Sequence, residues 1–478
     1  MAVKSTTTSV ANSHLIQHHL AAIRDFFDRT SAPTRAALDY RELLAHYYNL
    51  LIPDNSRVLE LGCGRGELLA RLRAVDVTGV DLSPMQIDHA RVRVPRGKFF
   101  VQAGEMLKLE GCFDVIIVSD TLNYAADVQA LLGQLHAVST PDTRLILNFQ
   151  SNVWRPLLAL GRALRFAKPA PQSSWLATAD VQNLLALADW TPVRIEHRLL
   201  CPMRLCGVER LLNRWVAPML SWFCLTVFLV ARSARRPAIT GTLSVSVVIP
   251  ARNEAGNITD AVRRIPQMGA RTEIIFVEGQ SRDDTWNKIQ QVAHDHPGIK
   301  ILQQPGRGKG DAVRAGFSAA TGDILMILDA DLTMPPEELP KFYNVIASGR
   351  AEFANGVRLV YPMDEKAMQF LNLCANKAFG LIFSWLLGQP VKDTLCGTKV
   401  LGRRHYEQIV ANRAYFGEFD PFGDFDLLFG AAKLNLKIAD VPIRYRERTY
   451  GTTNIQRWRH GWLLLRMVTF AARKLKFV

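Results

Sequence analysis

Residues 324–339 read ILMILDADLTMPPEEL: an apolar run that stops at two aspartates one residue apart, Asp329 and Asp331, before a turn built on Pro335 and Pro336. An isolated pair of this kind marks nothing more than the point where a buried strand meets water. What lies upstream changes its meaning. SVSVVIPARNEAGNI (244–258) is a second buried strand that empties into a polar loop and then a helix. EIIFVEGQSRDDT (273–285) is a third, ending in Glu278 and small polar residues. Asn253 and Glu254 are out of place in a core but suit a loop that holds a ligand at the carboxyl edge of a sheet. PGRGKGDAVRAGF (305–317) adds glycines with Lys309 and Arg314, a flexible loop suited to a phosphate-bearing ligand. In an extended segment residues i and i+2 point to the same side, so Asp329 and Asp331 are expected to face one ligand.

The first half of the chain repeats the strand-then-helix alternation with a different loop. VLELGCGRGELLARL (58–72) is a strand, a glycine-rich turn and a helix start. Gly62, Gly64 and Gly66 permit positive φ and close backbone approach, and the helix that follows is expected to offer free amide donors. Glu60 precedes the first glycine by two residues, and VTGVDLSP (77–84) closes a second strand on Asp81, which can accept both hydroxyls of a ribose. Two α/β domains with parallel sheets covered by helices follow from this alternation. They are expected over residues 1–235, with a helical prologue, and 244–478, joined by a linker at 236–243 that overlaps the polar SARRPAITGT (233–242).

Composition sets bounds. A chain of 478 residues calls for two or three domains, and 48% hydrophobic with 21% charged residues argues against disorder. The net charge of +14 calls for an acidic partner. No aromatic-basic stacking pattern or zinc module points to nucleic acid. The seven cysteines are scattered without a CxxC pair, which fits reduced thiols in a cytosolic setting. MAVKSTTTSVANSHLIQHHL has no continuous apolar core and does not read as a signal peptide. WVAPMLSWFCLTVFLVAR (215–232) is apolar but short for a span and holds Pro218 and Ser221, so a helix followed by a buried strand is expected there.

The first half resembles the class I S-adenosylmethionine-dependent methyltransferases over roughly residues 40–235, including FDVIIVSDTLNY (113–124) and RLILNF (144–149) as fourth and fifth strands. The resemblance implies a Rossmann-like fold closed by an antiparallel pair, VRIEHRLL (193–200) and CLTVFLVAR (224–232). It assigns cofactor contacts to Glu60, Gly62, Gly64, Gly66 and Asp81. After the third strand, where the family usually has Asp, Gly104 stands with Glu105 beside it, and Glu105 is taken as the substitute.

The second half is similar to the family 2 glycosyltransferases of GT-A fold over about residues 244–460, nearest to the dolichyl- or polyprenyl-phosphate sugar transferases. That resemblance implies a nucleotide diphosphate-sugar donor held by Pro250, Ala251, Asn253, Glu254 and Glu278, with Lys309 in the phosphate loop. It implies Mg²⁺ or Mn²⁺ on Asp331 and Asp329, Asp329 touching the metal or the ribose. Arg358 matches a residue for an acceptor phosphate, a second arginine being absent and Lys366 close to its place. Asp424 or Asp426 falls at the position of a general base, Asp426 being favoured, unless the acceptor is already an anion. RYRERTYG (444–451) offers Arg446 and Arg448 to the leaving diphosphate.

The closing WRHGWLLLRMVTFAARKLKFV (458–478) is amphipathic and basic, an interfacial helix on anionic lipid or a helix docked on its own domain. Together these features imply a bifunctional enzyme, peripheral on the cytosolic face of a membrane, with a prenyl-phosphate or lipid-linked glycan as acceptor. Two alternatives stay open: methylation of a glycan or lipid as the main activity, and a methyltransferase-like domain that serves as a scaffold.

Overall fold

A computed structural model of the chain describes residues 3–30, 33–53, 55–163, 176–235, 242–360, 370–413, 424–448, 450 and 457–478. The chain divides into two compact units, residues 1–235 and 236–476.

The first unit opens with helices α1 (Val3–Asp28) and α2 (Arg35–Leu51), the latter capped by the Thr34 hydroxyl accepting from the Ala37 amide. There follow β1 (Arg57–Leu61), β2 (Asp76–Asp81), α3 (Pro84–Arg93), β3 (Lys98–Val101), β4 (Phe113–Ser119), α4 (Val128–Gln134), β5 (Ser139–Gln150), α5 (Arg155–Ala163), α6 (Thr178–Leu187), β6 (Trp190–Arg198), the short α7 (Val208–Leu211) and β7 (Thr226–Ser233). They form one seven-stranded sheet in the order β3-β2-β1-β4-β5-β7-β6. Strands β1 to β5 pair in parallel, and β7 runs antiparallel to both β5 and β6.

Continuous apolar runs make these strands buried on both faces. Val58, Val77, Val115 and Ile117 pack to one side, and Leu59, Leu61, Ile116 and Val118 to the other. Each such fully buried side chain contributes about 1.5–3 kcal/mol. The apolar run at 215–232 ends in β7, every residue of which is buried. No helix among the described residues is long and apolar enough to cross a membrane.

One expectation fails locally. The glycine loop leads not into a helix but into a single 3-10 turn, Leu69–Arg71. Leu68, Leu69 and Leu72 are all buried there, and β2 begins at Asp76, which leaves no length for further turns.

The second unit runs β8 (Val245–Ala251), α8 (Ile258–Arg264), β9 (Thr272–Glu278), α9 (Thr285–Asp295), β10 (Lys300–Gln303), α10 (Lys309–Ala319), β11 (Ile324–Ile327), α11 (Leu339–Ala347), β12 (Phe353–Val357), α12 (Phe370–Leu387), β13 (Lys399–Gly402), α13 (Arg403–Ala411), α14 (Asp424–Lys433), β14 (Ile438–Pro442) and α15 (Arg457–Ala471). Its sheet has the order β10-β9-β8-β11-β13-β12-β14. The sheet is not purely parallel, as alternation alone suggests: β13 lies antiparallel between β11 and β12. The connection from β12 to β13 passes through the long α12, and strand direction cannot be read from spacing of that length.

The closing helix α15 packs against α12, burying Leu464 and Met467 while Trp462 and Leu465 stay exposed. It therefore docks on its own unit through one face and keeps an apolar edge outside. At the amino edge of this sheet Glu273 accepts from Ser246 Oγ at 2.5 Å, from the Thr321 amide and hydroxyl at 2.9 Å each, and pairs with Lys300 at 2.7 Å. Burial alone would raise this carboxyl. Lys300, Ser246 and Thr321 instead draw it down to about 2.

Candidate functional site

The carboxyl edge of each sheet carries the loops that the sequence marks as candidate sites. In the first unit β1 and β2 end side by side, and the loop between them turns through three glycines of positive φ: Gly62 at 70°, Gly64 at 51° and Gly66 at 70°. A Cβ at Gly62 would overlap the Thr121 side chain, whose hydroxyl is held by the carbonyls of Leu61 and Ser119 at 3.1 and 2.9 Å. Asp81 accepts from the amides of Gly64 at 2.8 Å and Ser83 at 2.9 Å, so it fixes the loop as well as facing the space above it. Burial pushes its carboxyl up, and these amide bonds limit the rise.

A cavity of about 400 Å³ opens over this loop. Gly62, Gly64, Asp81 and Glu105 lie in its wall; Glu60 and Gly66 do not line it. Glu60 is 2% exposed and its Oε2 has no hydrogen-bond partner. Burial holds its carboxyl well above the ordinary range, an effect that Arg41 only tempers. Glu105 accepts from the Ala126 amide at 2.8 Å, which ties the loop after β4 to the third strand's turn.

The roof of the cavity comes from the helical prologue: Ile23, Phe27, Tyr40 and Arg41 line it. Asp120, next after β4 with φ of 51°, also lines it. This carboxylate receives Asn148 Nδ2 at 2.8 Å, Arg41 Nη1 at 3.3 Å and the Tyr40 hydroxyl at 3.4 Å. Neither Asp120, within VSDTLNY, nor Arg41 is among the residues expected from the sequence. The signal was the acid at a strand end, the same one that marked Asp81.

In the second unit the loop after β8 is stitched to the loop after β9. Asn253, at φ of 57°, donates its amide to Ser281 Oγ at 3.1 Å and accepts from the Arg282 amide at 2.8 Å. The Glu254 amide donates to Thr285 Oγ1 at 2.9 Å, and the Gly279 amide donates to the Ala251 carbonyl at 2.9 Å. Glu278 is buried and accepts from the Ser281 amide at 2.5 Å. Pro250 and Ala251 are the last two residues of β8.

The aspartate pair departs from the extended geometry expected for it. Strand β11 stops at Ile327, the Leu332 amide returns to the Asp329 carbonyl at 3.1 Å, and Leu332 has φ of 51°. The segment is a turn, so the alternation of an extended chain does not set the two side chains. Each takes its own cation. Asp329 pairs with Lys309 at 2.7 Å, and Gly397 leaves the room for it, since a Cβ there would overlap both Asp329 Oδ2 and Lys309 Nζ.

Asp331 accepts from the Thr333 hydroxyl at 2.9 Å and from Arg448 Nη2 at 2.7 Å. Arg448 Nη1 also donates to Glu254 Oε1 at 2.9 Å, so one guanidinium joins the first loop, the aspartate turn and the segment after β14. Burial raises the Glu254 carboxyl to about 6; Arg448 pulls it lower and Asp331 pushes it higher. Arg446 has an exposed side chain, and its amide donates to the Thr333 carbonyl at 2.9 Å.

Two further residues named by the family pattern, Arg358 and Asp426, are ion-paired. Arg358 makes a two-point ion pair with the fully buried Asp393, at 2.7 and 2.9 Å, under the ring of Tyr445. Burial would raise the Asp393 carboxyl, but Arg358 holds it below its ordinary value. Asp393 belongs to VKDTLCGTKV, where the sequence shows an acid but not its partner. Asp426 on α14 pairs with Arg413 at 3.0 Å. Lys366 and the side chain of Asp424 lie outside the described residues.

Two family models match the chain: Glycosyl transferase family 2 over residues 246–408 and Methyltransferase domain over residues 32–205. A dolichyl-phosphate hexose transferase of Haloferax volcanii is 30% identical over 220 residues, 45% of this chain and 89% of that protein. A dolichol-phosphate mannosyltransferase of Pyrococcus furiosus is 29% identical over 221 residues, 45% of this chain and 60% of that protein. The chain thus spans about three-fifths of the length of the Pyrococcus relative. A crystal structure of glucosyl-3-phosphoglycerate synthase from Mycobacterium tuberculosis, with Mn²⁺, UDP and glucosyl-3-phosphoglycerate, superposes with TM-score 0.36 at 19% identity, over 49% of this chain and 80% of that one. With a Rossmann-like first unit and a GT-A second unit, the chain belongs to glycosyl transferase family 2 and carries a methyltransferase domain in its first half.

Proposed function

We propose that the second unit transfers a sugar, with inversion, from a nucleotide diphosphate-sugar to a prenyl-phosphate or lipid-linked glycan. We also propose that the first unit methylates a second substrate in the same enzyme. The observation that carries the transferase reading is Arg448 bridging Glu254 and Asp331, with Lys309 on Asp329. Two carboxylates at a strand edge, each compensated by a long flexible cation, can exchange that cation for a hard metal ion without leaving buried charge uncompensated. The donor set therefore fits Mg²⁺ or Mn²⁺ on Asp331 and Asp329, where the ion would offset the charge of the diphosphate.

In the transfer, an acceptor oxygen forms the bond to the anomeric carbon from the face opposite the leaving group. The bond to the diphosphate breaks, and its electron pair stays on the diphosphate oxygens. Lys309, Arg446 and the released Arg448 can meet that charge. Asn253, Glu254 and Glu278 belong to the loops that would hold base and ribose. A phosphate acceptor is already an anion and needs no base, which accords with the Asp426–Arg413 pair; a hydroxyl acceptor would call on Asp426. The Arg358–Asp393 pair leaves an acceptor phosphate to other cations or requires the pair to open.

In the first unit, S-adenosylmethionine bound over Gly62 and Gly64 would supply an electrophilic methyl group. Asp81 would receive its ribose, while Glu60, buried and outside the cavity lining, would reach the ligand only if the glycine loop moved. The charge of +14 and the apolar edge of α15 support association with anionic lipid, which the same proposal puts on the cytosolic face of a membrane.

The test is a donor screen scored by nucleoside diphosphate release, with a lipid extract as acceptor. Release is expected only with divalent metal and is lost in Asp331→Asn. No release from any donor, with metal binding unchanged in the variant, would overturn the reading. Calorimetric titration with S-adenosylmethionine tests the first unit: absence of binding makes it a scaffold.

A further inference from the structure

An apolar surface at the cavity edge of the first unit remains unexplained by either site. The segment after β5 exposes Val153 at 55%, Leu157 at 58% and Leu160 at 55%, the last two at helical spacing on α5. The segment before β7 exposes Met219 at 69%, Trp222 at 81% and Phe223 at 58%. The two segments are one surface. Trp154 Nε1 donates to the Phe223 carbonyl at 2.7 Å, and the Ser151 amide donates to the Leu225 carbonyl at 2.7 Å. They leave the sheet where Gln150 of β5 pairs with Thr226 of β7. That is the carboxyl edge of β5, and Gln150 itself lines the cavity.

The charges of these segments are mostly basic. Residues 151–160 and 199–225 hold Arg155, Arg204, Arg210 and Arg214 against a single acid, Glu209, while Arg204 also pairs with Asp39 and Glu42 of α2. Glu209 is buried and accepts from the amides of Leu205 and Gly207 at 2.9 Å each. Isolated exposed apolar residues need no explanation, but a contiguous group with Trp and Phe at its tip and arginines about it has the make-up of an interfacial segment.

We propose that this face, residues 151–160 and 219–223, is a membrane-contact surface of the methyltransferase unit, seated on anionic lipid, through which that unit takes its methyl acceptor from the bilayer. Aromatic tips enter the interface while arginines meet the headgroups. The acceptor is then an amphiphile presented at the lipid surface, close to the cavity mouth. The acceptor clause rests on the methyltransferase reading; the lipid-contact clause does not.

The experiment is co-sedimentation of the full chain with vesicles of phosphatidylcholine alone and with phosphatidylglycerol, comparing the wild type with Trp222→Asp/Phe223→Asp and with Leu157→Asp. Loss of about tenfold or more in partitioning to the anionic vesicles is expected for each variant. S-adenosylmethionine affinity should stay unchanged, which reports an intact fold and cavity. A separate Trp462→Asp/Leu465→Asp chain isolates the contribution of α15. If only that chain loses binding, membrane association stands and the present inference falls. Equal partitioning of all chains also overturns it, as does a wild-type dimer that Trp222→Asp/Phe223→Asp dissociates without changing vesicle binding, since the surface is then a protein interface.

Discussion

Replacing Arg448 by methionine keeps most of the side-chain volume and removes the charge that joins Glu254 to Asp331. Charge centres about 4 Å apart attract by roughly 4 kcal/mol at an effective dielectric of 20. Arg448 is 25% exposed, its partners 8% and 17%. Solvent screening and the cost of desolvating all three groups reduce the net value. Two charge-assisted hydrogen bonds in such a setting are worth about 3 kcal/mol together. Their loss leaves two carboxylates facing one another, so the second unit is expected to melt about 5–10 °C lower in metal-free buffer.

The same variant has a distinctive rescue. Millimolar Mn²⁺ should raise its melting temperature by more than it raises the wild type's, because the ion no longer competes with a tethered guanidinium. A ligand at a hundred times its dissociation constant adds about 2.7 kcal/mol, enough to recover most of the loss. Scanning calorimetry of the full chain, with chelator and with Mn²⁺ or Mg²⁺, reads both quantities. A variant that melts within about 1 °C of wild type, or gains no more from Mn²⁺ than wild type, would refute the exchange of guanidinium for metal.

Three further outcomes are expected. Gly397→Ala drives a methyl group into the Lys309–Asp329 pair, whose tips can move aside, so stability should fall by only about 1–3 kcal/mol while nucleoside diphosphate release falls by more than tenfold. Gly62→Ala meets both the Thr121 side chain and a positive φ, and calorimetry should record at least about tenfold weaker S-adenosylmethionine binding with the far-ultraviolet spectrum retained. Glu273, drawn down to about 2 from the usual 4.5, contributes stability that is complete above pH 4.5 and is lost as pH falls toward 2. Glu273→Gln should be less stable at neutral pH, and its melting temperature should change less than wild type's across that acid range.

Much of the architecture is legible because buried parallel strands announce themselves as apolar runs closed by an acid. That signal located β1, β2, β8, β9 and β11, and with them Glu60, Asp81, Glu254, Glu278 and the aspartate pair. It carries no information on partners distant in sequence. Nothing near Arg358 says that Asp393, thirty-five residues on, takes its charge. Nothing in ILMILDADL says that the chain turns before Asp331. The Arg448 bridge spans 117 residues to Asp331 and 194 to Glu254, separations at which only the folded sheet edge decides who meets whom. Likewise β13 had no periodic signature of its direction, because pairing sense depends on the length and path of the connection.

The roof over the first cavity is built from α1 and α2, and the end of α1 is bonded to the elements beneath it. Arg65 donates to the Thr30 carbonyl at 3.0 Å and Gln86 to the Phe27 carbonyl at 2.8 Å, while Ser83 donates to Asp28. These donors sit on the glycine loop, on the turn after Asp81 and in the first turn of α3, elements next to the proposed ligand. A ligand in the cavity would therefore share these elements with its own cover, so binding below and docking of the prologue above are expected to reinforce one another. A chain shortened before Asp28 should then bind S-adenosylmethionine more weakly.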